Sequence, residues 1–89
     1  MIEKNIVIKN KLGLHARAAV KFVNTANRYG ASVKVVKDET EIDGKSILGI
    51  LTLAATQGSS ILLRISGKDE GEAWKALAAL IGSRFGEKE

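Results

Sequence analysis

The chain has no cysteine, no proline, only four aromatic residues and no long apolar run. Without cysteine, neither a disulfide framework nor a thiolate zinc site can supplement the core, and a reducing compartment is permitted. Phe22, Tyr29, Trp74 and Phe85 are scattered, as are Lys and Arg, so the clustered basic and aromatic pattern of a nucleic-acid surface is missing. The longest apolar run, "ILGILTLAA" (Ile47 to Ala55), is less than half of the ~20 residues that a membrane span needs. The opening "MIEKNIVIK" carries a charge every few residues and reads as neither a signal peptide nor an anchor. These absences predict a soluble chain that binds no nucleic acid and does not insert into a membrane.

What is present is 89 residues, 45% of them hydrophobic. That is the length of one domain, spanning 1–89, with a modest core, since small domains bury only about 60–65% of the surface their unfolded chain exposes. Fourteen Lys and Arg against ten Asp and Glu give +4, a mild basic excess that suits an acidic protein or a phosphate.

Ile2, Ile6 and Ile8 alternate with Glu3, Asn5 and Lys9, the period of a strand with one buried face. Lys11 to Leu14 form a turn. From Ala16 the spacing of Ala19, Phe22, Val23, Ala26 and Tyr29 predicts an amphipathic helix that Gly30 closes. Ser32 to Lys37 and Thr40 to Ile42 read as two strands around the turn Asp38-Glu39. Ser46 stands where an N-cap belongs, before a short helix with Ile47, Ile50, Leu51 and Ala54, ended by Gly58. Ile61, Leu63 and Ile65 form a fourth strand. After Gly67, Asp69 and Glu72 have the spacing of a capping box for a last helix, whose inward stripe is Ala73, Leu77, Leu80 and Ile81. The order β-α-β-β-α-β-α predicts an α+β, two-layer, open-faced sandwich: a four-stranded antiparallel sheet with three helices on one face. The other face is expected to be wet, with Glu3, Asn5, Lys34 and Arg64 on it.

The stretch "KLGLHARAAVKF" holds the only histidine, His15. If the helix begins at Ala16, His15 is its N-cap, beside the N–H groups of Ala16, Arg17 and Ala18, which have no intrahelical acceptor. Unpaired donors and the positive helix end attract anions, and Arg17 adds a permanent fork for phosphate oxygens. Both features oppose further positive charge on the ring, which keeps the imidazole a nucleophile, and both would hold a phosphoryl group once it is attached. The residues therefore suggest a covalent phospho-imidazole. With no P-loop and no carboxylate cluster for a metal, catalysis of the transfer falls to a partner. On spacing alone, a lone histidine near a helix start is more often a plain surface residue, and a lone arginine such as Arg17 a solvated helix residue.

"GLHARAA", followed by "GKSILGILTLAA" and "SGKDEGEA", resembles the HPr-type phosphocarriers of the bacterial phosphoenolpyruvate phosphotransferase system over essentially the whole chain. The resemblance implies a stoichiometric carrier rather than an enzyme, cytoplasmic and monomeric, with no cofactor. It implies that His15 takes a phosphoryl group from Enzyme I and passes it to IIA-type proteins, with Arg17 as charge partner. Two positions depart from the common pattern: Ala18 stands where proline is usual, and Leu12 where a small polar residue is frequent. Alanine restores an N–H near the phosphate and loosens the first helical turn, whereas Leu12 offers no side-chain hydrogen bond. "NKLGLHARAA" looks closer to carriers of the nitrogen-type and related Gram-negative systems than to the best-known sugar carriers.

"KSI" resembles the regulatory serine site of HPr proteins, which implies that Ser46 is a target of an HPr kinase/phosphorylase in hosts that make one. A phosphate there sits at a helix N-terminus, so the fold should tolerate it. In "SILGILTLAA" apolar residues surround the helix, so Leu48 and Leu53 are expected to face outward if Ile47, Ile50 and Leu51 face the core. An apolar patch left outside marks an interaction site. The surface met by Enzyme I and IIA proteins is accordingly expected at Leu48, Ile47 and Leu51, with Arg17 and Lys21 at its rim. A regulatory binding module of the same fold, acting through Ser46 and docking alone, is the competing reading. Asp69, Glu70 and Glu72 read as helix-start acids rather than a metal site. Trp74 reads as core or flank of the last helix, and "RFGEKE" as a frayed polar end.

Overall fold

The computed structural model describes residues 1–88. It contains strands β1 (Ile2–Val7), β2 (Ser32–Lys37), β3 (Thr40–Asp43) and β4 (Ser60–Ser66), and helices α1 (Ala16–Ala26), α2 (Ile47–Thr52) and α3 (Glu70–Gly82), followed by a single 3-10 turn, Arg84–Gly86. The strands form one antiparallel sheet in the order β1-β4-β2-β3. The open four-stranded sheet with three helices is the architecture that the alternation and the helical spacing predict.

The period-two pattern decides which face of the sheet is covered. Ile61, Leu63 and Ile65 of β4 and Val33 and Val35 of β2 are all buried, and they meet Phe22, Val23 and Ala26 of α1, Ile50 of α2, and Ala73, Leu77 and Ile81 of α3. Each large member of this set contributes roughly 1.5–3 kcal/mol by leaving water. On the opposite face, Glu3, Arg64, Lys34 and Asp43 stand in one cross-strand row. Arg64 Nη1 donates to Glu41 Oε2 at 2.6 Å, and its Nε lies 3.5 Å from Glu3 Oε2. That face also carries Val36 opposite Leu62, so it is polar by rows and not throughout.

Four local expectations are corrected. Helix α1 stops at Ala26 rather than near Gly30, because Arg28 N–H and Tyr29 N–H turn back to the carbonyls of Thr25 and Ala26 in tighter i−3 bonds. Asp69 occupies the N-cap position of α3 but does not cap it. Its carboxylate oxygens accept the N–H groups of Gly30 and Ala31, each at 2.9 Å, and thereby tie the α1–β2 turn to the start of α3. The bond from Gly30 first, opposed by burial and helped by the bond from Ala31, holds the Asp69 carboxyl below the ordinary aspartate range. Leu53 is 6% exposed and belongs to the core. It follows the last residue of α2, and Ala54 with φ +49 turns the chain, so the helical wheel that sends Leu53 outward does not extend that far.

The fourth correction concerns "RFGEKE". Glu89 lies outside the described residues, but Phe85 and Glu87 are packed rather than frayed, with Arg84, Gly86 and Lys88 exposed around them. Phe85 is fully buried, and Arg84, Phe85 and Gly86 all take positive φ (58, 56 and 77). A left-handed Phe is unfavourable on its own. Burial of its ring offsets that cost, and the sharp turn points the following residues back across the start of α1. Lys21 Nζ, from α1, donates to the Phe85 carbonyl at 2.6 Å and fastens this return.

Candidate functional site

The loop before α1 is built as a β-turn, with Gly13 N–H donating to Asn10 O at 3.2 Å. Asn and Gly suit the first and last positions of such a turn. Gly13 has φ +67, and a Cβ there would lie 2.4 Å from Ala55 O, so only glycine lets this loop rest on the α2–β4 connection. Leu14 N–H then donates to the same Ala55 oxygen at 2.9 Å. The loop is thus clamped immediately before His15.

His15 is the N-cap of α1, in extended conformation (φ −76, ψ 178), and its carbonyl accepts the first helical bond from Ala19 N–H at 2.8 Å. Its ring makes no capping hydrogen bond. The N–H groups of Ala16, Arg17 and Ala18 have no backbone acceptor among the described residues. Arg17 is exposed and makes no ion pair among them. It lines a cleft of about 470 Å³ together with Lys11, Leu12, Glu87 and Lys88. Leu12 is 67% exposed and Ala18 fully buried.

The ring is nevertheless held. His15 Nε2 meets Glu87 Oε2 in a charge-assisted hydrogen bond. The other carboxylate oxygen, Oε1, accepts Asn10 Nδ2 at 3.0 Å, and Asn10 Nδ2 also donates to Gly13 O at 2.8 Å. The hydrogen bond to His15 is the main cause that holds the Glu87 carboxyl below the ordinary glutamate range. Partial burial opposes it, and the Asn10 amide adds to it. An ionised carboxylate only accepts, so the proton of this bond belongs to Nε2, and in the neutral ring the lone pair then lies on Nδ1. Sequence reading missed both Asn10 and Glu87. The aromatic Phe85 inside an otherwise polar end was the available signal for Glu87, and the Asn-to-Gly turn spacing for Asn10.

The other helix start is finished differently. Ser46 is the N-cap of α2, and its Oγ accepts Gly49 N–H at 3.1 Å. Beside it, Leu48 is 76% and Ile47 40% exposed, whereas Leu51 is partly buried against the core. Helix α1 packs on α2 and leaves Val20 exposed as well. Ile47 therefore faces outward with Leu48 instead of inward with Ile50. Lys21, placed at the rim by sequence, has its ammonium group engaged by the Phe85 carbonyl. Among the described residues, no helix is long and apolar enough to cross a membrane.

A model of the PTS-HPr family, described as the PTS HPr component phosphorylation site, matches residues 2–83, a span that includes the clamped loop, His15 and both helix starts. The chain belongs to the PTS-HPr family. It is 48% identical over 89 residues to the phosphocarrier protein HPr of Neisseria meningitidis serogroup B, with both chains fully covered. It is also 44% identical over 81 residues to the HPr-like protein Crh of Halalkalibacterium halodurans, covering 91% of this chain and 96% of that one. Its fold superposes on the crystal structure of HPr-C-His from Thermoanaerobacter tengcongensis with a TM-score of 0.96 at 48% identity over the full length of both. As a member of this family the chain is an HPr phosphocarrier of the PTS rather than an enzyme in the usual sense.

Proposed function

We propose that Nδ1 of His15 accepts a phosphoryl group from phospho-Enzyme I and passes it to IIA-type proteins. The observation that carries this reading is the engagement of Nε2 by Glu87, so that in the neutral ring the lone pair is on Nδ1. Nδ1 attacks phosphorus as the bond from phosphorus to the donor breaks, and that electron pair leaves with the donor. The ring then carries positive charge with its Nε2 proton retained, and the Glu87 carboxylate balances that charge. Arg17 and the N–H groups of Ala16, Arg17 and Ala18 face the new phosphoryl oxygens with positive ends and no competing partners. On delivery to the acceptor, the N–P bond breaks and its pair returns to Nδ1. Leu12 contributes no polar contact, so the backbone and Arg17 carry the oxygens.

The docking surface is Ile47 and Leu48 with Leu51 beneath them, bordered by Arg17. Lys21 acts there through the segment after α3 rather than as a free charge. A phosphate on Ser46, at the edge of that surface, repels an acidic partner and leaves the fold intact. If Ser46→Asp transfers from Enzyme I at the wild-type rate in low salt, this regulatory role is wrong.

The decisive experiment is incubation with Enzyme I and phosphoenolpyruvate. One acid-labile phosphoryl group should be gained, and none by His15→Ala. A wild-type protein left unmodified in an assay validated with another HPr overturns the carrier reading and favours a regulatory module that works through Ser46 and docking alone.

A further inference from the structure

Asn10 is fully buried, the one polar side chain in that class among the described residues. Its amide donates twice, to Gly13 O within its own turn and to Glu87 Oε1 across the site, while its Oδ1 has no partner. Both neighbours are acceptors. The amide must therefore present both hydrogens to them, and a flipped amide would set oxygen against oxygen. The unpaired Oδ1 is what remains once both hydrogens are used. A buried acceptor without a partner lowers stability, so an apolar residue would suit a purely structural turn better.

What the second hydrogen achieves is orientation. Glu87 sits two residues beyond Phe85, whose carbonyl is fixed by Lys21 Nζ, so its backbone is anchored but its side chain can rotate. With Oε1 held by Asn10, only Oε2 is offered to His15. We propose that Asn10 is a positioning residue for phosphoryl transfer: it fixes Glu87 so that the proton stays on Nε2 of His15 and Nδ1 remains the acceptor nitrogen, an inference that rests on His15 being the phosphoryl acceptor. The array has the logic of a base oriented by a third group, with an amide as the outermost member.

The test has a spectroscopic arm and a kinetic arm. In the unphosphorylated protein, the Nε2–H proton of ¹⁵N-labelled His15 should be visible by NMR as a hydrogen-bonded signal protected from water. Asn10→Asp keeps the volume but offers no hydrogens and repels Glu87, so it should broaden that signal away. Transfer from Enzyme I should slow by about ten- to a hundredfold in kcat with little change in KM. If Asn10→Asp fails to fold, Glu87→Ala reads the same arm without altering a buried group, and it should abolish the same signal. A folded Asn10→Asp protein with the wild-type Nε2–H signal and wild-type kcat overturns the proposal, as does a Glu87→Ala protein with that signal intact. Because the NMR arm needs no phosphate, a wild-type protein that shows the signal but never accepts a phosphoryl group, with the signal lost in Asn10→Asp, supports the array and refutes the carrier reading.

Discussion

Helices α1 and α2 both begin where a polar side chain stands at the N-cap, yet the two starts are completed in opposite ways. At α2 the Ser46 hydroxyl turns inward and satisfies Gly49 N–H, so the helix end is closed by its own cap. At α1 the His15 ring turns away toward Glu87, and the N–H groups of Ala16, Arg17 and Ala18 are left for something else. A cap that serves the helix stabilises it; a cap that serves another residue leaves the helix end as an anion site. Helix α3 gives a third case, in which the Asp69 carboxylate is diverted to the Gly30–Ala31 turn and joins two elements.

The sharpest way to break the contrast is to release the segment that draws His15 away. Phe85→Ala removes a fully buried ring and should cost about 3–5 kcal/mol in denaturant unfolding, with loss of the Glu87 contact at His15. Arg17→Ala leaves the open helix end without its side-chain cation. It should slow phosphorylation by Enzyme I by about a hundredfold, near 3 kcal/mol in the transition state, with an unchanged unfolding curve. Ser46→Ala acts on the closed end instead: urea unfolding should show a loss of about 1 kcal/mol, and the rate of His15 phosphorylation should stay at the wild-type value.

The smallest effect is in acid. Because folding lowers the Glu87 carboxyl below its ordinary value, the group contributes stability that is fully present above the unfolded glutamate pKa of about 4.3 and is lost as pH falls through the lower folded value. A pH series of melting curves should therefore show wild type and Glu87→Gln separated above that range and converging below it. Parallel curves down to pH 2 would mean that the contact contributes nothing to folding.

The parts of this molecule that repeat locally were legible in the sequence. Strand alternation put Ile61, Leu63 and Ile65 inward, and helical spacing did the same for Phe22, Ala73 and Leu77. His15 next to Arg17 and Ser46 before Ile47 are also neighbours in the chain, so their placement at two helix starts could be read from order alone. What escaped depended on turns that end a pattern or on residues far apart. Leu53 follows a helix only six residues long, and Asp69 has the spacing of a capping box while its oxygens reach across to a loop. Asn10 and Glu87 meet only because three consecutive positive φ values fold the segment after α3 back over α1, a conformation that no periodicity encodes.

The separation of 72 residues between His15 and Glu87 also bears on how the protein is made. A ribosome that has released the clamped loop, α1 and most of the sheet has still not delivered the carboxylate that orients the imidazole. Contacts of such range close late in folding, because the loop entropy must be met before they give any return. An incompletely synthesised or misfolded copy therefore carries the histidine but lacks the group that sets its proton. If His15 is the phosphoryl acceptor proposed above, truncation before Glu87 should lower transfer competence even where the sheet and helices have formed.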